Sequence, residues 1–395
     1  MNGLVNEEHM NRDASDGIIA IPQSEGLFLI GRRSQKAVFF PLGVSVLLRD
    51  AIKADSPEPP LWLREAMDAV GVTSGLPGTW RRSICMRERP EFGFKRVAWE
   101  ITQRCNFRCV HCYLDNKTKG GLPLEQRLRI LDKIERAGCL WLQMTGGEVL
   151  ADPLFGDTYK AAHERGLQVS ISTNGALLTR WMELFRKLPP RRITMSLYGA
   201  SPDTYAAMTG ACGDHFATII TGLDAVISAQ IPVRVSIIAA TPNVHEVDTM
   251  EGMMRERGVE YHTYWNLTPT LAGKRHPTEI AVKNRRAATF FQEKTSCAGG
   301  ISSLHVHASG RASPCKLLPH ISVDLLNEDL SRLSRLCHHP GAKPVGPGCE
   351  KCASSANCVT CAPVYALHKK AGHIPRNVCS FRPMADEGGC GGARH

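Results

Sequence analysis

Three cysteines, Cys105, Cys109 and Cys112, lie close together on one short stretch, directly after an apolar run. Thiolates are soft ligands, and three of them at this spacing suit an iron–sulfur cluster. A cubane cluster has four irons, so three cysteines leave one iron open to a ligand that is not protein. The cysteines alone also fit a zinc knuckle or three buried thiols, and these stay open as alternatives at this point.

A second candidate site follows the next apolar run, where Thr145 is followed by Gly146, Gly147 and Glu148. In parallel βα folds the working residues lie just beyond the carboxyl ends of the strands, and both sites fall at such ends. Two glycines free the backbone for a close approach, and the glutamate can accept a hydrogen bond from an ammonium group. A tight turn with an incidental glutamate is the alternative.

Polar side chains also end two further predicted strands. The segments 172–175 (Ser-Thr-Asn-Gly) and 196–199 (Ser-Leu-Tyr-Gly) offer hydroxyl and amide groups to a ligand. Asn-Gly and Tyr-Gly are also ordinary turn chemistry. Both segments are therefore candidates either for binding or for simple chain reversal.

The C-x3-C-x2-C spacing, with His111 before the last cysteine, resembles the hallmark of the radical S-adenosylmethionine (radical SAM) enzymes. The resemblance implies a [4Fe–4S] cluster held by the three cysteines, with SAM chelating the open iron through its amino and carboxylate groups. It also implies that reductive cleavage of SAM gives a 5′-deoxyadenosyl radical, which takes a hydrogen atom from the substrate. No catalytic acid or base is assigned. The implied SAM contacts are His111, Tyr113, Gly146, Gly147, Glu148, Ser172, Asn174 and Ser196.

A second group of cysteines fills the C-terminal third. The two C-x2-C halves of a zinc site normally stand about 15–20 residues apart, whereas only five residues separate Cys352 from Cys358. That spacing disfavours a zinc ribbon, and a rearranged zinc ribbon is the alternative. The members of this group are Cys297, Cys315, Cys349, Cys352, Cys358, Cys361 and Cys379.

This cysteine pattern, with its G-x4-C step from Gly310 to Cys315, resembles the SPASM extension of radical SAM enzymes. The resemblance implies two auxiliary [4Fe–4S] clusters. Two residues rather than three separate Cys358 from Cys361, which is a departure from the family pattern. The fourth ligand of the first cluster would be Cys337 or a substrate thiolate. The implied ligands are Cys297, Cys315 and Cys361 for the first cluster, and Cys349, Cys352, Cys358 and Cys379 for the second.

The elements that position these sites follow a βα rhythm from residue 94 to about residue 266. Strands alternating with helices of 10–15 residues imply a parallel sheet. Six units fall short of an eight-unit barrel, so we expect an α/β fold with an open, TIM-like (β/α)6 partial barrel, as the family resemblance implies. The predicted strands are 94–102, 140–144, 167–172, 193–197, 233–239 and 259–265, and the predicted helices are 124–137, 154–165, 179–188, 216–229 and 245–257.

Residues 18–75 have a different pattern, with three short strands followed by two helices. This order resembles the winged-helix-like, PqqD-like peptide-recognition domain of enzymes that modify ribosomally made peptides. In such domains a leader peptide adds a strand to the edge of the sheet. A structural cap or a dimerisation module is the alternative. The expected division is 1–17 flexible, 18–75 peptide recognition, 76–93 linker, 94–290 radical SAM barrel, 291–385 SPASM extension and 386–395 flexible tail.

Composition bounds the setting of the protein. Hydrophobic residues make up 43% of the 395 residues, enough for a sizeable core. No apolar run reaches the roughly 18 residues of a membrane span, and no signal peptide is recognisable. Fifteen cysteines in such a chain favour metal ligation in the cytoplasm over disulfides. The net charge of +10 would suit an acidic peptide or nucleic acid, but a solvated basic face is the commoner explanation.

The resemblances lead to a hypothesis for the reaction. SPASM enzymes that act on sulfatases carry an aspartate after the cysteine of the G-x4-C step, whereas this chain has Lys316, a poor replacement for a carboxylate base. The first hypothesis is therefore an oxidoreductase that crosslinks a ribosomally synthesised precursor peptide (RiPP), through a thioether or carbon–carbon bond, with a flavodoxin- or ferredoxin-type electron donor. The alternative is a dehydrogenase or epimerase of a small molecule such as an amino sugar. A nucleic-acid-binding protein is disfavoured, because no recognition helix or stripe of aromatic and basic residues stands out.

Overall fold

The computed structural model describes residues 17–54, 56–72, 80–114, 117, 119–211, 215–265, 267–271, 277–282, 297–337 and 361–371. The two chain termini lie outside these residues, as do Cys349, Cys352, Cys358 and Cys379. The ligand roles given to these four cysteines therefore stay predictions.

The N-terminal part forms a four-stranded sheet with two helices. Its strands lie in the order β3-β2-β1-β4. The pairs β1–β2 and β2–β3 are antiparallel, whereas β4 runs parallel to β1. The sequence did not predict β4, which lies in the range assigned to the linker. The elements are β1 (Ile18–Pro22), β2 (Gly26–Gly31), β3 (Ala37–Pro41), α1 (Val44–Lys53), α2 (Leu61–Ala69) and β4 (Ile84–Met86).

Strand β1 is buried on both faces, which explains its unbroken apolar sequence. Ile18 on one face belongs to the core that the sheet forms with α1 and α2. Ile19 and Ile21 on the other face pack with Leu140 and Trp141 at the start of the second barrel strand. The N-terminal sheet is therefore docked on the barrel, so its removal would uncover apolar surface there.

The central sheet has nine strands in the order β10-β9-β8-β7-β6-β5-β11-β12-β13. Strands β5 to β10 are all parallel to their neighbours. The predicted α/β fold with a parallel sheet is confirmed, and the sheet is open in the part of the chain that the structure describes. These strands are β5 (Arg96–Thr102), β6 (Trp141–Gly146), β7 (Gln168–Thr173), β8 (Arg192–Leu197), β9 (Val233–Ile238) and β10 (Glu260–Tyr264).

Six helices follow the barrel strands, and five of them match the predicted stretches. The sixth, α6, was not predicted, although its signals are present in the sequence. Ser201 accepts a hydrogen bond from the backbone N–H of Thr204, Pro202 occupies the first turn, and Gly210 ends the helix with a φ of 64°. These helices are α3 (Leu124–Arg136), α4 (Phe155–Glu164), α5 (Leu178–Lys187), α6 (Pro202–Thr209), α7 (His215–Ser228) and α8 (Val247–Glu256).

The described residues of the C-terminal part add three short strands and one α-helix. Strand β11 pairs in parallel with β5, and β12 and β13 continue the sheet with antiparallel pairs. The C-terminal part therefore extends the barrel sheet next to β5, the strand that leads into the loop with Cys105, Cys109 and Cys112 (the cysteine loop). No described helix is both long and apolar enough to cross a membrane. These elements are β11 (Ser303–Val306), β12 (Arg311–Ser313), β13 (Val323–Asp324) and α9 (Ala362–Lys370).

A buried ion pair links α3 to the segment after β6. The guanidinium of Arg127 donates to both carboxylate oxygens of Asp152 at 2.8 and 2.9 Å. Removing one partner of a buried pair leaves an uncompensated charge, so Arg127→Met should lower the free energy of unfolding by about 3–5 kcal/mol. The matched variant Arg136→Met breaks an exposed pair with Glu91 and should cost about 1 kcal/mol or less. Urea denaturation measures both, and equal losses would contradict the prediction.

Candidate active site

The cysteine loop lies just beyond the carboxyl end of β5. It is anchored to the C-terminal end of α6, because the backbone N–H groups of Arg108 and Val110 donate to the carbonyls of Thr209 and Met208 at 2.8 and 3.0 Å. The ring of Phe107 is fully buried beneath the loop. The unpredicted helix α6 thus holds the loop that carries the three thiols.

Two of the three thiols of the loop are held in the neutral form by burial. Burial raises the pKa of Cys109 to about 12, even though the charge of Lys117 lowers it. Burial also raises the pKa of Cys105, with contributions from Glu148 and Cys112. Thiols held neutral by burial lose their protons when a metal supplies the compensating charge. Three cysteines on one short loop suit a cluster with three protein ligands, and this role for Cys105, Cys109 and Cys112 stays a prediction.

The two glycines of the second motif bring β5 and β6 together. Gly146 has a φ of 138°, and a Cβ at Gly147 would lie 2.1 Å from the carbonyl oxygen of Arg104. The backbone N–H of Gly147 donates to Thr102 at 2.9 Å, and that of Glu148 donates to Arg104 at 2.8 Å. The motif therefore serves close packing against the chain that leads into the cysteine loop.

The carboxylate of Glu148 is fully buried and ties three segments together. It accepts hydrogen bonds from the N–H of Leu150 at 3.0 Å, the hydroxyl of Thr173 at 2.7 Å and the N–H of Asn174 at 2.6 Å. Burial raises the pKa of Glu148, and these three hydrogen bonds partly offset that rise. Contact with the amino group of SAM stays a prediction, and the hydrogen bonds show a positioning role between β6 and β7.

The predicted polar residues at the ends of β7 and β8 each have a different hydrogen-bond partner. The amide of Asn174 donates to the side chain of Asn106 in the cysteine loop at 2.7 Å, so β7 and the loop are joined directly. Ser172 accepts a hydrogen bond from Gln143 at 2.8 Å. Ser196 hydrogen bonds to the side chain of Tyr198. Asn174 thus lies at the cysteine loop, and the link through Asn106 was missed by sequence reasoning.

His111 and Tyr113 flank the last cysteine of the loop. Burial lowers the pKa of His111 to about 4, and its ring lies 4.9 Å from that of Tyr198. Among the described residues, the buried Nδ1 of His111 has no hydrogen-bond partner. Burial raises the pKa of Tyr113, whose ring is covered by the ammonium of Lys316 at 4.1 Å from the centroid.

Three predicted ligands of the first auxiliary cluster lie within the described residues. Burial raises the pKa of Cys315, and the charges of Cys361 and Cys297 raise it further, so both thiols lie within electrostatic reach of Cys315. Cys337 is half-buried, and its thiol donates to the carbonyl of Leu333 at 3.6 Å. Binding of an auxiliary cluster by Cys297, Cys315 and Cys361 stays a prediction.

Lys316 connects the two thiol groups. Burial lowers its pKa, and the charges of Glu100, Cys315 and Cys112 partly restore it. The ammonium therefore lies within electrostatic reach of a thiol from each group. It also lines a cavity of about 620 Å³ that extends to four arginines at the amino ends of the barrel strands, which are Arg96, Arg191, Arg192 and Arg234.

Sequence reasoning missed a buried carboxylate and two histidines beside this cavity. Glu100 lies on β5, His305 lies on β11, and His307 directly follows β11. Burial alone would raise the pKa of Glu100, but the two histidines outweigh it and lower that pKa. A charge inside an apolar strand and an H-x-H repeat on one strand face were the signals that could have revealed them.

Residues 99–255 match the model of the Radical SAM superfamily. Strands β6 to β9 and the three thiols beyond the end of β5 lie within this range, so the chain contains a radical SAM domain.

Two curated relatives each align with about half of this chain. AdoMet-dependent heme synthase of Methanosarcina barkeri is 29% identical over 202 residues, covering 50% of this chain and 57% of that protein. The antilisterial bacteriocin subtilosin biosynthesis protein AlbA of Bacillus subtilis is 24% identical over 247 residues, covering 56% of this chain and 55% of that protein. The chain thus spans little more than half the length of each relative.

Crystal structures of Streptococcus suis SuiB share the fold over most of the chain. The structure bound to S-adenosylmethionine has a TM-score of 0.59 at 14% identity, covering 93% of this chain and 100% of that one. The structure bound to precursor peptide SuiA has a TM-score of 0.52 at 15% identity, covering 93% and 99%. At this identity the likeness concerns the fold alone.

Proposed function

We propose that this enzyme oxidatively crosslinks a ribosomally synthesised precursor peptide, forming a thioether or carbon–carbon bond. The observation that carries the proposal is a sheet edge suited to an extended peptide, on a module docked directly against the radical SAM domain. The relatedness to AlbA and the shared fold with SuiB, which was crystallised with its precursor peptide, support it.

The proposal gives the described residues distinct tasks. Cys105, Cys109 and Cys112 would hold a [4Fe–4S] cluster, and Asn106 with Asn174 would fix the loop against β7. The cluster and SAM together supply a 5′-deoxyadenosyl radical when both are bound. His111, Tyr113 and the segments after β7 and β8 would border SAM.

The remaining cysteines would serve electron removal. Cys297, Cys315 and Cys361 would hold the first auxiliary cluster, and the four cysteines outside the described residues would hold the second. Crosslinking removes two hydrogen atoms from the peptide, so one electron must leave the substrate after the radical has taken the first hydrogen. A flavodoxin- or ferredoxin-type protein would reduce the SAM-binding cluster.

One edge of the N-terminal sheet is β3, and the other is the three-residue strand β4. Among the described residues β3 pairs with β2 alone, so its outer backbone groups are available to another strand. Phe39 on this strand is 46% exposed, and the following residues Leu42, Val46 and Leu47 are exposed as well. Exposed apolar side chains beside an open edge suit a leader peptide that adds a strand and inserts its own apolar residues.

The activity test uses the reduced full-length enzyme, SAM and the peptide encoded beside its gene. We expect 5′-deoxyadenosine together with a peptide that is two hydrogen atoms lighter. Tandem mass spectrometry would locate the new bond. An unchanged peptide mass would contradict crosslinking, and deuterium uptake from solvent without a mass loss would indicate epimerisation.

The leader-binding role of β3 predicts a separate effect of Phe39→Asp. A charge at this position would lose an aromatic contact and be desolvated by the leader, so we expect the Kd for the peptide to rise by about 10–100-fold. SAM cleavage without peptide should stay unchanged. Fluorescence anisotropy with a labelled peptide measures the Kd.

The matched control is Ile301→Asp, which also places a charge at an exposed apolar residue, but in the C-terminal extension. Its Kd should equal that of the unaltered enzyme. A Phe39→Asp variant that binds the peptide with unchanged affinity would remove β3 from the leader site.

A second candidate function is a dehydrogenase or epimerase of a small molecule. The match to AdoMet-dependent heme synthase favours it, as does the cavity with arginines at one end, which suits an anionic compound. Such an enzyme would need no leader. Phe39→Asp would then leave substrate turnover unchanged, which distinguishes the two functions without removing the docked N-terminal sheet.

A further inference from the structure

We propose that Glu100, His305 and His307 form a binding site for a divalent cation of the zinc type, separate from the cysteine sites. Among the described His, Cys, Asp and Glu side chains, only these three bring ligand atoms from three residues within 4.8 Å of one another. The inference does not depend on whether the substrate is a peptide or a small molecule.

The spacing of the donors fits one tetrahedral ion. Oε1 of Glu100 and Nε2 of His305 are 3.4 Å apart. Zinc bonds to imidazole nitrogen and carboxylate oxygen measure about 2.0–2.2 Å, so two such donors on a tetrahedral ion are about 3.4 Å apart. The two atoms are thus already at the separation that a shared zinc ion requires.

Burial leaves these donors in need of a partner. Glu100 is 2% exposed and His305 is 6% exposed. Although Oε1 and Nε2 are at ion-pair distance, neither atom makes a hydrogen bond of ordinary geometry within the part of the chain that the structure describes. A buried carboxylate without a well-placed donor costs several kcal/mol in general. A cation between the two atoms would compensate the charge and satisfy both lone pairs.

The third ligand has the outer contact that metal-binding histidines usually make. The hydroxyl of Ser313 donates to the carbonyl of Cys315 at 2.9 Å, and its oxygen lies 2.9 Å from Nε2 of His307. The serine oxygen therefore accepts from Nε2–H, which leaves the lone pair on Nδ1 of His307. Such a contact fixes the tautomer and orients the ring of a metal ligand.

The three donor groups indicate which ion would bind and what role it would have. Two imidazoles and one carboxylate suit zinc, and three protein ligands with one open position are typical of zinc sites that bind a further molecule. His305 lines the cavity together with Cys315 and Lys316. The open position would therefore take an oxygen or nitrogen donor of a molecule bound in that cavity.

Lys316 offers the competing explanation, because its ammonium is the other cationic group that acts on Glu100. In that case the carboxylate would be compensated by Lys316 and a protonated His305, and no metal would bind. The two explanations predict opposite results in a metal titration.

The test titrates anaerobically reconstituted holoenzyme with Co²⁺, a spectroscopic substitute for zinc. We expect one equivalent with the visible absorption of tetrahedral cobalt, without thiolate-to-cobalt charge-transfer bands, and displaced by Zn²⁺. Glu100→Gln and His305→Asn should each weaken Co²⁺ binding by about 100-fold or more, since loss of an outer contact alone costs 10–100-fold. His320→Asn, an exposed histidine of the same extension, should bind as the unaltered enzyme does.

Iron content and circular dichroism of each variant show whether it is folded and loaded with clusters. The proposal is overturned if the holoenzyme binds no Co²⁺, if binding carries thiolate charge-transfer bands, or if both ligand variants keep the site. Because the titration contains no substrate, its outcome is independent of the peptide assay that tests the proposed function.

Discussion

Replacing Cys109 with alanine should lower SAM cleavage by about three orders of magnitude or more. Cys109 is the most deeply buried of the three loop cysteines, and its thiol is held neutral until a metal displaces the proton. Without its sulfur the loop would retain two of the three ligands of the proposed cluster, which would supply the radical chemistry. Production of 5′-deoxyadenosine by the dithionite-reduced protein measures the loss.

The control for this variant is Cys139→Ala. Cys139 is also fully buried, but it lies in the hydrophobic core, where its thiol donates to the carbonyl of Trp141 at 3.4 Å. We expect this variant to keep its full iron content and SAM cleavage, with a loss of stability of about 1 kcal/mol. Iron analysis should show a deficit of one cluster in Cys109→Ala alone. Equal iron content in both variants, or cleavage that survives in Cys109→Ala, would contradict the assignment of the loop.

The barrel elements could be predicted because their sequence patterns are local. Each of the six predicted strands overlaps an observed one, and several of them alternate buried and half-buried residues, as β8 does. The intervening helices carry an apolar stripe at helical spacing, as α3 does with Ile130, Leu131 and Ile134 buried. Because each motif directly follows a predicted strand in the sequence, its position at the carboxyl end of that strand could be predicted as well.

Long-range pairing could not be predicted in the same way. Strand β11 pairs with β5, which lies about two hundred residues earlier in the chain. The short run Ser303–Val306 has no local pattern that indicates which strand it pairs with. Strand β4 is three residues long and lies among arginines, so its pairing with β1 has no clear local pattern. The cluster of Glu100, His305 and His307 exists only through the first of these pairings, which is why sequence reasoning missed it.

The family resemblance did not predict which groups the second motif, residues 145–148, contacts within the chain. Its place at the end of β6 was predicted, and the structure adds that the Glu148 carboxylate accepts three hydrogen bonds from the chain itself. Those bonds join β6 to the start of the segment that holds Asn174. The geometry of the cysteine loop therefore depends on this motif as well as on the cysteines.

That dependence predicts a large effect of Gly147→Ala. The new methyl carbon would lie 2.1 Å from the carbonyl oxygen of Arg104 and 2.7 Å from that of Gln103. Both are backbone atoms just before Cys105, so no side chain can move aside. Overpacking usually costs 1–3 kcal/mol where side chains can adjust; here we expect about 3 kcal/mol or more, together with poor retention of the cluster.

Gly93→Ala is the matched control, because a methyl group there would meet no heavy atom within 4 Å. Its unfolding temperature and iron content should stay near those of the unaltered enzyme. In Gly147→Ala both should fall, since the strand that carries the cysteine loop must shift away from β6 and move the thiols with it. A Gly147→Ala protein with normal stability but no SAM binding would mean that the glycine serves the ligand directly, and the packing explanation would then be wrong.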